Sequence, residues 1–333
     1  MEKLITPVVT ERSAFDLSSQ HGYFLLGSCF SQHLGHFLEN NLILACVNPF
    51  GTVFNPFTIC QLISRIVNRE YYTVDDITGY DGRFFSFEVY TQFTGTSPDQ
   101  VICQLNRELD RAISHFDRMD YLLLTFGTSY VFRKKSDQAI VGNCHKMPHH
   151  FFAGYQLSHA EVVDILRLID GLVKQCRPNA KIITTISPVR HLSAGLVQNT
   201  ISKAVLHSAL HCFLPQQDWS YFPAYEIMMD ELRDYRYYAD DLIHPTPLAI
   251  RIICDRFLKT YFTADSQRYM LLVKELKNLL GHKPRSTELE KLELLESKMM
   301  AKANEIQQQY AIDWLPEIKQ WRDRCMSDQP KDT

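Results

Sequence analysis

The sequence predicts an α/β fold in which a parallel sheet carries helices on both faces, and three observations lead there. Short apolar runs at 23–26, 43–47, 121–125 and 181–185 each end near a glycine, proline or serine, as buried strands do. Amphipathic stretches at 30–40, 100–116, 159–175 and 200–213 lie between or beyond them. The resulting βαβα order winds into one sheet through right-handed crossovers, and reactive groups then gather at the carboxyl ends of the strands.

Taken in order, the first run ends in Gly27-Ser28 and passes directly into a helix. Two segments interrupt the alternation. Residues 79–94, with Asp81-Gly82 as the turn, and residues 129–142, with a polar tip at 134–137, read as inserted β-hairpins that cover the sheet edge or the site. After Tyr261 the pattern is purely helical: 271–280 stops at Gly281 and Pro284, and Thr287 with Glu290 opens the next helix as a capping box. Residues 288–310 are charged and heptad-like, and Trp314 and Trp321 follow. This divides the chain into a main domain, 1–262, and a helical extension, 263–333, which either packs on the main domain or serves as a homodimerisation arm.

Of 333 residues, 45% are hydrophobic and 12% aromatic, enough for one large core with an appendage. A net charge of -3 supplies no basic field, so nucleic acid is not an expected partner. Glu2, Glu11 and Arg12 interrupt the N-terminal stretch, which reads as neither signal peptide nor anchor, and no later run is long enough to span a bilayer. The nine cysteines are scattered and never form a CxxC pair, which argues against a disulfide framework or zinc knuckle and for a reducing cytoplasm. No cofactor is called for.

Two constellations carry chemistry. Ser28, at a strand-to-helix turn, places a hydroxyl near the positive end of a helix dipole, as a nucleophile requires; the same position suits a simple N-cap. Its neighbour Cys29 is the better intrinsic nucleophile, yet the residue just inside a helix usually turns to the core. In Asp240-Asp241-Leu242-Ile243-His244-Pro245, Asp241 can orient one imidazole nitrogen of His244 while the other meets a substrate, the base pair of a hydrolytic triad. Otherwise Asp241 caps a turn and His244 is a surface histidine. One carboxylate and one imidazole leave a metal short of ligands.

These residues carry a resemblance. The chain resembles the GSCFA family, through Gly27-Ser28-Cys29-Phe30 followed here by Ser31, through Asn48-Pro49-Phe50-Gly51 with Asn55-Pro56, through Thr125-Phe126-Gly127-Thr128, and through Asn143-Cys144-His145-Lys146. Further blocks are Ser187-Pro188-Val189-Arg190-His191-Leu192, Ser202-Lys203-Ala204, and 225–237 leading into His244. The family is similar to the SGNH hydrolases, which implies a three-layer α/β/α, flavodoxin-like fold with a five-stranded parallel sheet, and a Ser28, His244, Asp241 triad. It also implies an oxyanion hole at Ser28 and Gly51, with Ser129 standing where an asparagine is expected, so Ser129, Asn143 or His145 must replace that donor.

Asn143, His145 and Lys146 either supply such donors or serve the loop they sit on. Arg190 and His191 lie on the expected reactive edge, where Arg190 either clamps an anionic substrate group or pairs with an acid near 230–234. The rings at 221–225 and 235–238 are core or a sugar platform. The implied activity is hydrolysis of small acyl esters, such as O-acetyl groups on a saccharide or cell-envelope precursor. Acyl transfer by the same triad, or an inactive binding module of the same fold, are the rivals.

Overall fold

The computed structural model describes residues 5–216, 218–282 and 289–327. Its chain runs β1 (Tyr23–Gly27), α1 (Cys29–Asn40), β2 (Ala45–Val47), α2 (Pro56–Asn68), β3 (Thr78–Tyr80), β4 (Arg83–Phe85), α3 (Pro98–Phe116) and β5 (Tyr121–Phe126). There follow β6 (Tyr130–Lys134), β7 (Ile140–Val141), β8 (Phe152–Gln156), α4 (His159–Cys176), β9 (Lys181–Ile186), α5 (Leu196–Phe213), β10 (Trp219–Tyr221), α6 (Ala224–Glu226) and α7 (Pro247–Tyr261). The last helices are α8 (Ala264–Gly281), α9 (Leu289–Tyr310) and α10 (Leu315–Ser327).

Five strands form the main sheet in the order β2-β1-β5-β9-β10, and every neighbouring pair is parallel. β1 and β5 are buried along their whole length, which is why their sequences, YFLLG and YLLLTF, do not alternate. From β1 the chain moves outward to β2 and then returns past β1 to β5. Right-handed crossovers therefore put α1 on one face and the helices leading to β5, β9 and β10 on the other, giving three layers. The direction of winding reverses between β1 and β5, and a crevice opens at their carboxyl ends. Helix starts are set locally: Asn55 and Ser97 cap α2 and α3, each followed by a proline, and Ser158 with Glu161 closes a capping box on α4.

The insertions differ from expectation in detail. β3 and β4 form a hairpin whose two turn residues, Asp81 (φ 49°) and Gly82 (φ 68°), are both left-handed, as a tight type I′ turn demands. Its strands stop at Phe85 rather than near Thr94. β6 pairs antiparallel with β7, as a hairpin should, but also with β8 on its other edge, so this insertion is a three-stranded sheet. The fifth main strand, β10, falls at 219–221, a place where no apolar run marks it. Buried Arg65 on α2 ties the first insertion down: it reaches both oxygens of Glu88 at 3.0 and 3.1 Å and Asp76 at 2.9 Å, and lies over the Tyr72 ring at 4.0 Å.

The chain divides into two compact units, one of 1–15 and 20–261, the other of 16–19 and 262–333. In the second, α8, α9 and α10 pack against one another. Leu292, Met299, Ala303 and Ile306 on α9 are buried at heptad-like intervals, as are Trp314, Ile318 and Trp321 nearer the end. Pro284 and Thr287 lie outside the described residues. Among those described, no helix is long and apolar enough to cross a membrane.

Candidate active site

A cavity of about 800 Å³ opens at the carboxyl ends of the strands, lined among others by Ser28, Asn48, Gly51, Arg190, His191 and His244. The reversal of winding beside β1 accounts for its position.

Ser28 is held by the sheet. Gly27 takes φ 148°, and a Cβ there would come within 2.4 Å of the Thr125 carbonyl oxygen, so only glycine lets β1 turn this close to β5. The Ser28 N–H extends the ladder to the Thr125 carbonyl at 3.1 Å. Its Oγ accepts from the Phe30 N–H at 3.2 Å, so Ser28 is the N-cap of α1 and at the same time a cavity residue. The first turn of α1 carries no acid to offset the positive end of its dipole. Cys29 also lines the cavity, but burial pushes its thiol pKa up, which keeps it protonated and poorly nucleophilic.

The second half is built by a loop. Asp241 Oδ2 meets His244 Nδ1 at 2.6 Å, while Oδ1 accepts the N–H groups of Ile243 and His244 at 3.0 and 2.9 Å. The His244 amide, its imidazole and the Ile243 amide together hold the Asp241 carboxyl down at about 2. Leu242 between them is left-handed at φ 58°, an uncommon state for a leucine. The Ala239 N–H donates to the His244 carbonyl at 2.8 Å and closes the loop. Asp241 fixes Nδ1 and leaves Nε2 for other partners. No hydrogen bond joins His244 to Ser28; the two share the cavity wall.

The expected oxyanion donors are otherwise employed. Besides the Ser28 amide, the Gly51 N–H is spent on the Asn48 carbonyl at 2.8 Å. Ser129 is fully buried and stitches α5 to the end of β5: its N–H donates to Ser202 Oγ at 2.7 Å and its Oγ to the Ser202 carbonyl at 2.9 Å. It does not line the cavity. Half-buried Asn143 and His145 do not line this cavity either, and the Asn143 side chain accepts the His145 N–H at 2.8 Å. The His145 ring sits on Phe85 with centroids 4.1 Å apart, and its Nε2 lies 2.8 and 3.1 Å from the Ser86 and Val89 carbonyls. Burial drives the His145 pKa down to about 4. His145 and Lys146 line a neighbouring cavity of about 530 Å³ that shares Tyr90 and Gln92 with the first.

Arg190 stays at the cavity and forms no ion pair among the described residues; its guanidinium reaches Tyr238 Oη and Met229 Sδ, both at 3.3 Å. The expected pairing with an acid near 230–234 is therefore not made. The His191 ring packs on Phe54 at 5.1 Å and contacts Ser193 Oγ at 2.7 Å, its pKa lowered by burial and then by Lys203. Of the aromatic run, Phe222 is core, whereas Tyr225, Tyr235 and Tyr238 line a third cleft beside Arg190 and Asp241.

The residue that sequence reasoning passed over is Asn48. It is buried on the cavity wall with φ 41°; its Oδ1 accepts the Gly27 N–H at 2.9 Å and its N–H donates to Leu25, yet Nδ2 has no hydrogen-bond partner. An unpaired amide donor costs free energy when buried, and Asn48 Nδ2 shares this state with Thr184 and Thr185 Oγ1 near the same strand ends. The only sequence signal was its place in the Asn48-to-Gly51 block.

Comparison with curated protein sequences finds no match. Among solved structures, the chain is similar to an acetyl esterase mutant crystallised with acetate ion (10% identity, 76% of this chain and 98% of that one, TM-score 0.36). It is also similar to a carbohydrate esterase family 3 protein from Talaromyces cellulolyticus (8%, 76% and 98%, TM-score 0.36). An acetyl xylan esterase from the rumen bacterium Butyrivibrio proteoclasticus matches at 12% identity over 83% of this chain and 66% of that one, with a TM-score of 0.31. The sequence profile of the GSCFA family matches residues 23–257, a span that takes in β1, Ser28, Asn48 and the Asp241–His244 loop: the chain belongs to the GSCFA family.

Proposed function

We propose that this protein is a serine-dependent ester hydrolase of the SGNH kind, with Ser28 as nucleophile, His244 as general base and Asp241 as its orienter. The observation that carries the reading is convergence: a serine set at the tip of β1, and an imidazole already oriented by a carboxylate at 2.6 Å, line one cavity from positions far apart in the chain.

In this mechanism Ser28 Oγ attacks the ester carbonyl while His244 Nε2 takes its proton, and the charge left on imidazole is balanced by Asp241. The oxyanion is met by Asn48 Nδ2 and by the positive end of α1. His244 returns the proton to the leaving alcohol, an acyl-Ser28 ester remains, and water attacks it by the same steps in reverse. Substrate filling the cavity draws the 239–245 loop onto the serine, as catalytic hydrogen bonds tighten in the bound state. The His244 side chain is 49% exposed, so water reaches the base, which favours hydrolysis over transfer to a second acceptor.

The wall supports a polar, ring-bearing substrate. Gln32, Glu39, Gln104, Glu108 and Arg111 supply polar groups, while Phe54 and Tyr90 offer flat apolar faces. An acyl ester on a saccharide fits that mixture, and Arg190 is placed for an anionic group on it. A fluorophosphonate probe tests the assignment. Labelling is expected in the wild type and in Cys29→Ala, and absent in Ser28→Ala; labelling lost in Cys29→Ala and kept in Ser28→Ala would move the chemistry to the thiol.

A further inference from the structure

We propose that His207, His211 and Glu226 form a binding site for a divalent transition metal, with zinc as the natural class of ion, away from the serine cavity. The two histidines stand one turn apart on α5, their rings parallel to within 3° and their centroids 6.4 Å apart. Glu226, on α6, comes up beside them. One nitrogen of each imidazole and one Glu226 oxygen lie within 4.8 Å of one another. A metal at the usual bond length of about 2.1 Å brings such donors roughly 3.4 Å apart, a closure that side-chain rotation supplies.

The cluster is not satisfied by the fold alone. His207 Nδ1 is 3.5 Å from Glu226 Oε1, beyond a good hydrogen bond, and its Nε2 is buried with no partner. Glu226 is already oriented: Tyr221 Oη donates to both of its oxygens at 2.9 Å, the outer contact that fixes a ligating carboxylate. The Tyr225 and Tyr221 rings pack edge-on against His207 and His211, at 4.9 Å each, and hold the imidazoles apart from other acceptors. Lys203, one turn earlier on α5, spends its ammonium on the Ser187 carbonyl at 2.6 Å. Imidazole and carboxylate together suit zinc, cobalt, nickel or copper rather than calcium or magnesium. His211 is exposed, so the ion enters from solvent and its fourth position takes water.

Bound there, the ion staples the C-terminal half of α5 to α6. Titration of the purified, metal-stripped full-length protein with cobalt(II) and then zinc tests this, read by ligand-field absorption, by calorimetry and by melting temperature. One equivalent is expected to bind and to raise the melting temperature. Glu226→Gln and His207→Ala each lower affinity at least tenfold and abolish the thermal gain, Tyr221→Phe weakens binding about tenfold through the carboxylate, and the His149→Ala, His150→Ala double variant changes neither. Binding that survives Glu226→Gln and His207→Ala undiminished, or no saturable binding to the wild type, overturns the proposal.

Discussion

The two halves of the candidate site are built by different means. Ser28 is 5% exposed and is placed by long-range structure: the β1/β5 ladder, the close approach that Gly27 permits, and the start of α1. Asp241 and His244 have side chains 47% and 49% exposed and are placed by one another, through three hydrogen bonds that span four residues. On the proposed mechanism, a nucleophile fixed by the sheet has little freedom to adjust to substrate. A base on a loop held by its own contacts has more, so that mechanism assigns any closing movement to the loop. Changes around Ser28 are then expected to disturb fold and chemistry together, and changes in the loop chemistry alone.

The largest effect should come from Ser28→Ala, which removes the proposed nucleophile and should lower ester turnover by roughly 10⁵-fold, while loss of the cap costs only about 1 kcal/mol of stability. Retained turnover would end the assignment of this half. Asp241→Asn comes next: on the proposed mechanism the imidazole loses its orienting charge, and kcat should drop about 10⁴-fold with only a small loss of stability at neutral pH. A large loss of stability in that variant would mean that the loop is part of the fold and not self-contained.

Asn48 belongs to both regimes, since Oδ1 holds β1 through Gly27 while Nδ2, which has no hydrogen-bond partner, is the donor that the proposed mechanism assigns to the oxyanion. Asn48→Ala should cost 10²- to 10³-fold (order of magnitude) in kcat, and also stability. Asn48→Asp keeps the acceptor and loses the donor, and so separates the two contributions: equal kcat for Asn48→Asp and wild type would remove Asn48 from catalysis. Gly27→Ala should destabilise by about 3 kcal/mol, because the added methyl meets backbone that cannot yield at a φ of 148°. Leu242→Gly, at the left-handed position of the other half, should by contrast stay within about 1 kcal/mol of wild type.

The same contrast explains what could be read from the sequence. β1 and β5 were legible because burial on both faces leaves an apolar run, and β9 because Ile182 and Ile183 lead into β-branched Thr184 and Thr185. β10 is three residues, Trp-Ser-Tyr, and β8 carries Ala153 and Gly154, so neither offers a pattern. Ser28, Asp241 and His244 stand out as candidates because strand-to-helix turns and short Asp-to-His spacings are local, and Ser28 and His244 line one cavity. Ser129, Asn143, His145 and Lys146 do not line the Ser28 cavity, and their sequence could not show where they lie. Ser129 is bound by Ser202, and the His145 ring by the Ser86 and Val89 carbonyls and the face of Phe85, all far away in sequence. Asn48 stayed unseen because an orphaned donor is a property of its surroundings and not of its residue type. His207 and His211 displayed helical spacing, but Glu226, which makes them a cluster, arrives from another element.

The smallest expected effect sharpens the idea of a self-contained loop. Held by two amides and an imidazole, the Asp241 carboxyl titrates at about 2 instead of the ordinary 3.8. When the chain unfolds, those partners are lost and the carboxyl takes up a proton more readily. Its contribution to stability is therefore complete above about pH 4–5, shrinks as the unfolded state protonates first, and is gone below about pH 2. Denaturant unfolding of wild type and Asp241→Asn between pH 6 and pH 3 reads this directly: the gap between them should be flat at the upper end and close steadily below pH 4. A gap that stays constant down to pH 3 would mean that Asp241 is not held by its own loop in solution, and the orientation of His244 would then need another cause.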